Sequence, residues 1–158
     1  MPSPAILNGL HRRNELHRLR GLNRAGPSAG RWLRSVLALL PGPRPTLPQL
    51  NLWVKKVVQF VAKELVPLSI ILELRHANQD LDALEKLTCE LLAGLGENNP
   101  PFRNASHEDA SPLLRARGLM LLQSLTYACE IHLANTHDAR GKALLKVVAE
   151  DFRAFLSR

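Results

Sequence analysis

Aromatic residues are scarce in this chain of 158 residues: Phe, Trp and Tyr together make up 4% of it, whereas 46% of its residues are hydrophobic. A core of this composition must be built mainly from Leu, Val, Ile and Ala. Leu and Ala favour helices, while strands draw on β-branched and aromatic residues. The length is that of one domain, large enough to bury a core without disulfides or metals. The composition therefore predicts an all-α fold.

Cysteine is also rare, with only Cys89 and Cys129, each inside a helical pattern. No apolar signal peptide with a small-residue cleavage site opens the chain, so we expect a reducing, cytoplasmic or also nuclear, location with packed thiols. The sequon at 104–106 is then expected to stay unmodified, because glycosylation needs the secretory route. No apolar run is long enough to span a bilayer, and Lys63 and Glu64 interrupt the best candidate.

Acidic residues are nearly absent from residues 1–47, which hold eight arginines and only Glu15. Residues 48–158 hold thirteen basic and thirteen acidic residues, so the net charge of +7 belongs to this N-terminal arm. We expect the arm to be largely disordered, with one short helix at 31–40 and a proline-rich linker at 41–48. A helical domain is predicted to occupy residues 49–158.

Four main helices are predicted in this domain. The first lies within 50–65 and has one apolar face, formed by Leu50, Trp53, Val54, Val57, Val58, Val61 and Leu65. The second follows Pro67, which fits either the first turn of a new helix or a kink in a continuous one, and it ends near Gly94 and Gly96. A polar loop without regular structure is expected at 97–111.

The last two helices follow this loop. Ser111 and Pro112 are typical of an N-cap and a first helical position, and they predict a helix at 113–134. This helix is apolar on nearly all sides, which is typical of the centre of a bundle or of an interface. Thr136 is the predicted cap of the final helix, whose inner face is formed by Leu144, Leu145, Val148, Phe152 and Phe155.

A regular apolar seam runs along the helix after Pro67. Alternate spacings of four and three residues keep it on one side, and its members are Ile70, Leu74, Ala77, Leu81, Leu84, Thr88, Leu91 and Leu95. The seam faces the protein's own core, a host or viral protein partner, or a second copy in a homodimer. The partner hypothesis assigns the contact to Ile70, Leu74, Leu81, Leu84 and Leu91, with Trp32 and Trp53 as aromatic anchors if they are exposed.

Catalytic signatures are absent: the sequence has no Walker loop, dinucleotide-binding glycine pattern, nucleophile elbow or metalloprotease motif. We predict no enzymatic activity and no cofactor, and the His-Glu-Asp triplet at 107–109 is expected to be solvated. Cys129, His132 and His137 are candidate zinc ligands, but a structural site needs four ligands and Cys89 is far away in sequence. The alternative is a buried thiol beside two histidines near helix ends.

The arginines of the arm support three hypotheses. They bind nucleic-acid phosphates, they belong to a mitochondrial presequence, or they form a solubilising tail. The presequence hypothesis is opposed by Glu15 and by the weak amphipathic pattern of the segment. Charge-mediated binding would use Arg12, Arg13, Arg18, Arg20 and Arg24.

Composition also bears on origin, since leucine makes up about a fifth of the chain and arginine exceeds lysine fifteen to six. Such a bias is typical of a reading frame constrained by another gene. A basic arm, then "WVKKVVQFVAKELVPLSIILELRHANQDLDALEKL", then "RARGLMLLQSLTYACEIHL" resembles the layout of paramyxovirus C proteins. The resemblance implies a non-enzymatic accessory protein that antagonises host interferon signalling and modulates viral RNA synthesis through protein contacts. The alternative is a nucleic-acid-binding protein that uses the arm.

Overall fold

The computed structural model describes residues 33–64 and 81–158, which form a helical bundle. Its helices are α1 (Leu47–Glu64), α2 (Leu81–Leu95), α3 (Pro100–Ser106), α4 (Pro112–Ala134) and α5 (Ala139–Leu156). Residues 33–37 form a further helical turn, inside the helix predicted at 31–40. The described ranges contain no strand, and the all-α prediction is confirmed.

The core is centred on an aromatic cluster that joins three helices. Phe152 of α5 lies between Trp53 of α1 and Phe102 of α3, with ring centroids 5.3 and 5.4 Å apart, respectively. Phe155, one turn after Phe152, contacts Phe102 at 4.7 Å. All four rings are buried, and the predicted inner faces of α1 and α5 point toward them.

The segment before α1 belongs to the same core. Leu33, Val36, Leu37 and Leu40 are buried there. The indole N–H of Trp53 donates to the backbone oxygen of Val36 at 3.2 Å, and Asn99 Nδ2 donates to the backbone oxygen of Pro41 at 3.1 Å. The core thus extends across the boundary that we drew between an arm of 1–47 and a domain of 49–158.

α1 begins inside the linker predicted at 41–48, because its start is a capping box. The backbone N–H of Thr46 donates to Gln49 Oε1 at 2.9 Å, and the backbone N–H of Gln49 donates back to Thr46 Oγ1 at 3.4 Å. This reciprocal pair satisfies donors that the first helical turn leaves free. Pro48 is tolerated there, since a proline in the first turn removes no helical hydrogen bond.

The prediction of a loop without regular structure at 97–111 is wrong, because α3 lies within it. Asn99 is the N-cap and two prolines open the helix, which has only seven residues. Its Phe102 and Ala105 are fully buried. Two turns are too short to show a helical period in the sequence, so burial of Phe102 is what fixes this segment as a helix.

The N-cap of α4 is the residue predicted from the sequence, whereas the N-cap of α5 is a different residue. Ser111 Oγ accepts the backbone N–H of Leu114 at 3.2 Å, which confirms Ser111 as the N-cap of α4. For α5 the cap is Asp138 rather than the predicted Thr136, because Asp138 Oδ1 accepts the backbone N–H of Arg140 at 2.9 Å. Hydrogen bonds from Arg140 hold the pKa of Asp138 below its usual value.

Substitution of the central ring tests this core. We expect Phe152→Ala to lower the free energy of unfolding by about 3–5 kcal/mol, because it removes a fully buried ring and leaves a cavity between α1, α3 and α5. Val147→Ala is the matched control on the same helix, since Val147 is 50% exposed and should change stability by less than about 0.5 kcal/mol. Urea unfolding followed by circular dichroism measures both. Equal, small losses would contradict the central position of Phe152.

Candidate interaction surface on helix α4

The inner side of α4 is buried in the bundle from Gly118 to Cys129. Its buried residues are Gly118, Leu122, Leu125, Thr126, Ala128 and Cys129. A Cβ atom on Gly118 would lie 3.0 Å from Leu92 Cδ2, so α4 approaches α2 closely at this point. Near its other end α4 approaches α5, because a Cβ atom on Gly141 would lie 2.7 Å from the Cα atom of His132.

The outer side of α4 exposes large apolar side chains. Leu113, Met120 and Tyr127 are 64%, 61% and 56% exposed, and they follow one another at intervals of seven residues. Ala116 and Ala134 are exposed as well. At about 100° per residue, these five side chains fall within an arc of about 60°. We call this row, Leu113, Ala116, Met120, Tyr127 and Ala134, the α4 stripe.

The α4 stripe is nearly free of charge. Arg117 lies at its edge and is the only exposed charged residue of α4. Arg115 points elsewhere: its guanidinium pairs with Glu85 of α2, and its Nε donates to the backbone oxygen of Ala105 in α3 at 3.3 Å. Gln123 and Ser124 supply the polar groups near the middle of the row.

No other described helix has such a row. The remaining exposed large hydrophobic residues of the described ranges are single: Leu39 in the turn before α1, Leu52 on α1 and Val147 on α5. Isolated apolar residues are normal on protein surfaces, whereas a contiguous row is a feature of contact sites. The α4 stripe is therefore the candidate functional surface of the described structure.

Residues that the partner hypothesis assigned to a contact surface lie in the protein's own core, where the structure describes them. Leu91 is 1% exposed and Trp53 is 2% exposed, so both lie in the protein's own core and neither is a contact residue. Thr88 and Leu95 of the same seam are buried too. The described part of the seam faces inward because α2 packs that face against the bundle. Ile70 and Leu74 lie outside the described residues, as do the side chains of Leu81 and Leu84.

The other sequence candidates do not assemble into a site. Arg12, Arg13, Arg18, Arg20 and Arg24, like Trp32, lie outside the described residues. The 107–109 triplet is exposed. Within residues 33–64 and 81–158 no three His, Cys, Asp or Glu side chains converge as metal ligands, so Cys129, His132 and His137 are not brought together. Over the same ranges, no helix has both the length and the apolar character needed to cross a membrane.

The sequence of residues 113–134 pointed to the α4 stripe, but the partner hypothesis was assigned to the more regular seam after Pro67. Apolar residues on nearly every side of 113–134 predicted a central or interfacial helix, and the structure shows that α4 is buried on one side only. The interval of seven between Leu113, Met120 and Tyr127 was visible. Periodicity alone could not show which of several apolar faces the bundle leaves uncovered.

Comparison with known proteins adds no relative: no family model, curated protein or solved structure matches the chain.

The two thiols of the chain are expected to differ in reactivity. Burial raises the pKa of Cys129 to about 12, so at neutral or mildly alkaline pH its reactive thiolate is almost absent. Cys89 is half-buried, and its pKa is raised chiefly by burial, with a lowering contribution from Arg115. We expect iodoacetamide at pH 8 to modify Cys89 first and to leave Cys129 protected until urea unfolds the chain. Mass spectrometry of timed samples measures this, and equal rates in the folded protein would contradict the burial of Cys129.

Proposed function

We propose that this is a non-enzymatic regulatory protein that acts by protein–protein contact, and that the α4 stripe is its contact surface. The observation that carries the proposal is the row of exposed apolar side chains on a helix whose other side is fixed in the core. Keeping such a row in water has a cost in free energy, which a bound partner removes.

The size and composition of the α4 stripe support this role. A helix of 23 residues is about 35 Å long, and a row about 10 Å wide gives a patch of roughly 350 Å². Patches of about 300–600 Å² are the largest on typical monomers and are often functional. Tyr and Met are enriched in protein interfaces, which makes Tyr127 and Met120 the expected anchors.

The cellular role that we propose rests on the layout of the sequence. A protein similar in layout to paramyxovirus C proteins would antagonise host innate signalling and modulate viral RNA synthesis, with host or viral proteins as partners. The proposed location is the cytoplasm or also the nucleus, where Cys89 and Cys129 stay as free thiols.

A pair of charge insertions tests the role of the α4 stripe. We expect wild-type protein to reduce an interferon-response reporter and a viral minigenome reporter in transfected cells, and Met120→Glu to lose most of both effects, because a carboxylate at the centre of the patch opposes apolar contact. Leu52→Glu is the matched control, since Leu52 is 58% exposed on α1 and the same charge is added there. Both variants should fold, which thermal unfolding and equal expression levels check. Full activity of Met120→Glu would contradict the proposal, as would equal loss in both variants.

A second candidate function is nucleic-acid binding, favoured by the eight arginines and single glutamate of residues 1–47. Phosphate neutralisation releases counterions, so such binding weakens steeply as salt rises. Deleting residues 1–47 is a poor test, because Leu33 and Leu37 belong to the core. Substitution in the full chain avoids this problem.

We expect the full chain to bind labelled single-stranded RNA, with affinity falling about 100-fold between 50 and 200 mM salt if five arginines contact phosphates. Replacement of Arg12, Arg13, Arg18, Arg20 and Arg24 by Ala should remove most of this salt dependence. Fluorescence anisotropy measures both. Arg140→Ala and Arg153→Ala together form the control, because these exposed arginines belong to α5 and lie outside residues 1–47 in the sequence. The absence of RNA binding by the full chain at 50 mM salt would eliminate this candidate.

A further inference from the structure

We propose that the outer face of α1 is a second binding surface for the phosphate backbone of a nucleic acid, formed by Lys55, Lys56 and Lys63. The proposal deepens the nucleic-acid candidate and rests on it, because it places part of the binding on the folded bundle rather than on the arm alone.

Basic residues continue from the arm into the bundle with no acidic residue between them. Residues 16–63 contain nine arginines and lysines and no Asp or Glu. Three of the nine are the lysines of α1, and their side chains are exposed. The ion pairs of the described ranges join Arg115 to Glu85 and Arg140 to Asp138, so none of the three lysines is paired there. Their charges are therefore available to a ligand.

The three lysines lie on one side of α1. At about 100° per residue they fall within an arc of about 100°, and the exposed Gln59 lies inside that arc. Lys56 and Lys63 are about 10 Å apart along the helix axis, and their directions differ by about 20°. A row of point charges on flexible stems suits a strand of phosphates, in which each nucleotide carries one negative charge.

The exposed charges of the other described helices are mixed or single. On α5, Glu150 and Asp151 lie among the exposed basic residues, and on α2, Glu85 and Glu90 flank Lys86. On α3 and on α4, one arginine is the only exposed charge. Of the side chains that the structure describes on helices, those of α1 alone combine several exposed charges of one sign. A polyanion is attracted to such a face and meets no carboxylate on it.

A nucleic acid fits this face better than a lipid bilayer does. An amphipathic helix binds a bilayer by burying its apolar face in the interface. The apolar face of α1 is already buried in the core, where Leu50, Trp53 and Val57 are at most 2% exposed. Charge is what remains for binding. The arm precedes α1 in the chain and carries the same charge, so one extended strand can contact both.

The salt dependence of RNA binding tests the proposal. Fluorescence anisotropy of a labelled single-stranded RNA is measured with the full chain between 50 and 200 mM salt. Three lysine contacts contribute about 2 to the slope of log affinity against log salt, which is a further factor of about 20 over this range. We expect the combined variant Lys55→Gln, Lys56→Gln and Lys63→Gln to lower the slope by this amount.

A matched control removes the same charge from α5. Lys142→Gln, Lys146→Gln and Arg153→Gln together should leave the slope unchanged, because carboxylates accompany these residues. Equal losses of slope from the α1 and α5 variants would overturn the proposal, since they would indicate attraction to net charge rather than to this face.

Folding is controlled separately, because positive charge in the last turn, where Lys63 lies, also stabilises α1. The double variant Lys55→Gln and Lys56→Gln leaves Lys63 in place and should lower the slope by about 1.4. Thermal unfolding checks that every variant folds as the wild type does.

The outcomes separate this inference from the functions proposed above. RNA binding whose slope the α1 variants leave unchanged overturns the inference and leaves the nucleic-acid candidate with the arm alone. A full chain that binds vesicles of phosphatidylserine and phosphatidylcholine but no RNA at 50 mM salt overturns both. The protein-contact proposal is tested independently by Met120→Glu, on a different helix.

Discussion

The contact of Phe152 with the rings of Trp53 and Phe102 is the interaction on which the rest of the described structure depends. Seven aromatic residues occur in the whole chain, and this cluster, with Phe155, uses four of them. It joins helices that are distant in sequence, α1, α3 and α5. Hydrogen bonds attach the segment before α1 to two of these helices. The indole N–H of Trp53 in α1 donates to the backbone oxygen of Val36, and Asn99, the N-cap of α3, donates to the backbone oxygen of Pro41. In a core made otherwise of Leu, Val and Ala, these rings supply the large, directional contacts.

The same arrangement explains why the described helices leave one side of α4 uncovered. α4 lies against α5 at Gly141 and against α2 and α3 at Gly118, where the absence of a side chain permits the close approach. These neighbours all pack on the inner side of α4. The chain turns at residues 135–138 directly into α5, whose own inner face is taken up by Val148, Phe152 and Phe155. α5 therefore packs beside α4 and toward the core rather than across the outer side.

Much of this fold could be predicted from the sequence, and the failures have physical causes. The apolar periods of α1 and α5 and the Ser-Pro start of α4 identified those helices, because each is long enough to repeat its pattern several times. α3 was missed because two turns show no period. Leu91 and Trp53 were assigned to a partner because a period defines a face but not what the face meets. What a helix face packs against depends on contacts between segments distant in sequence, such as the hydrogen bond between Trp53 and Val36.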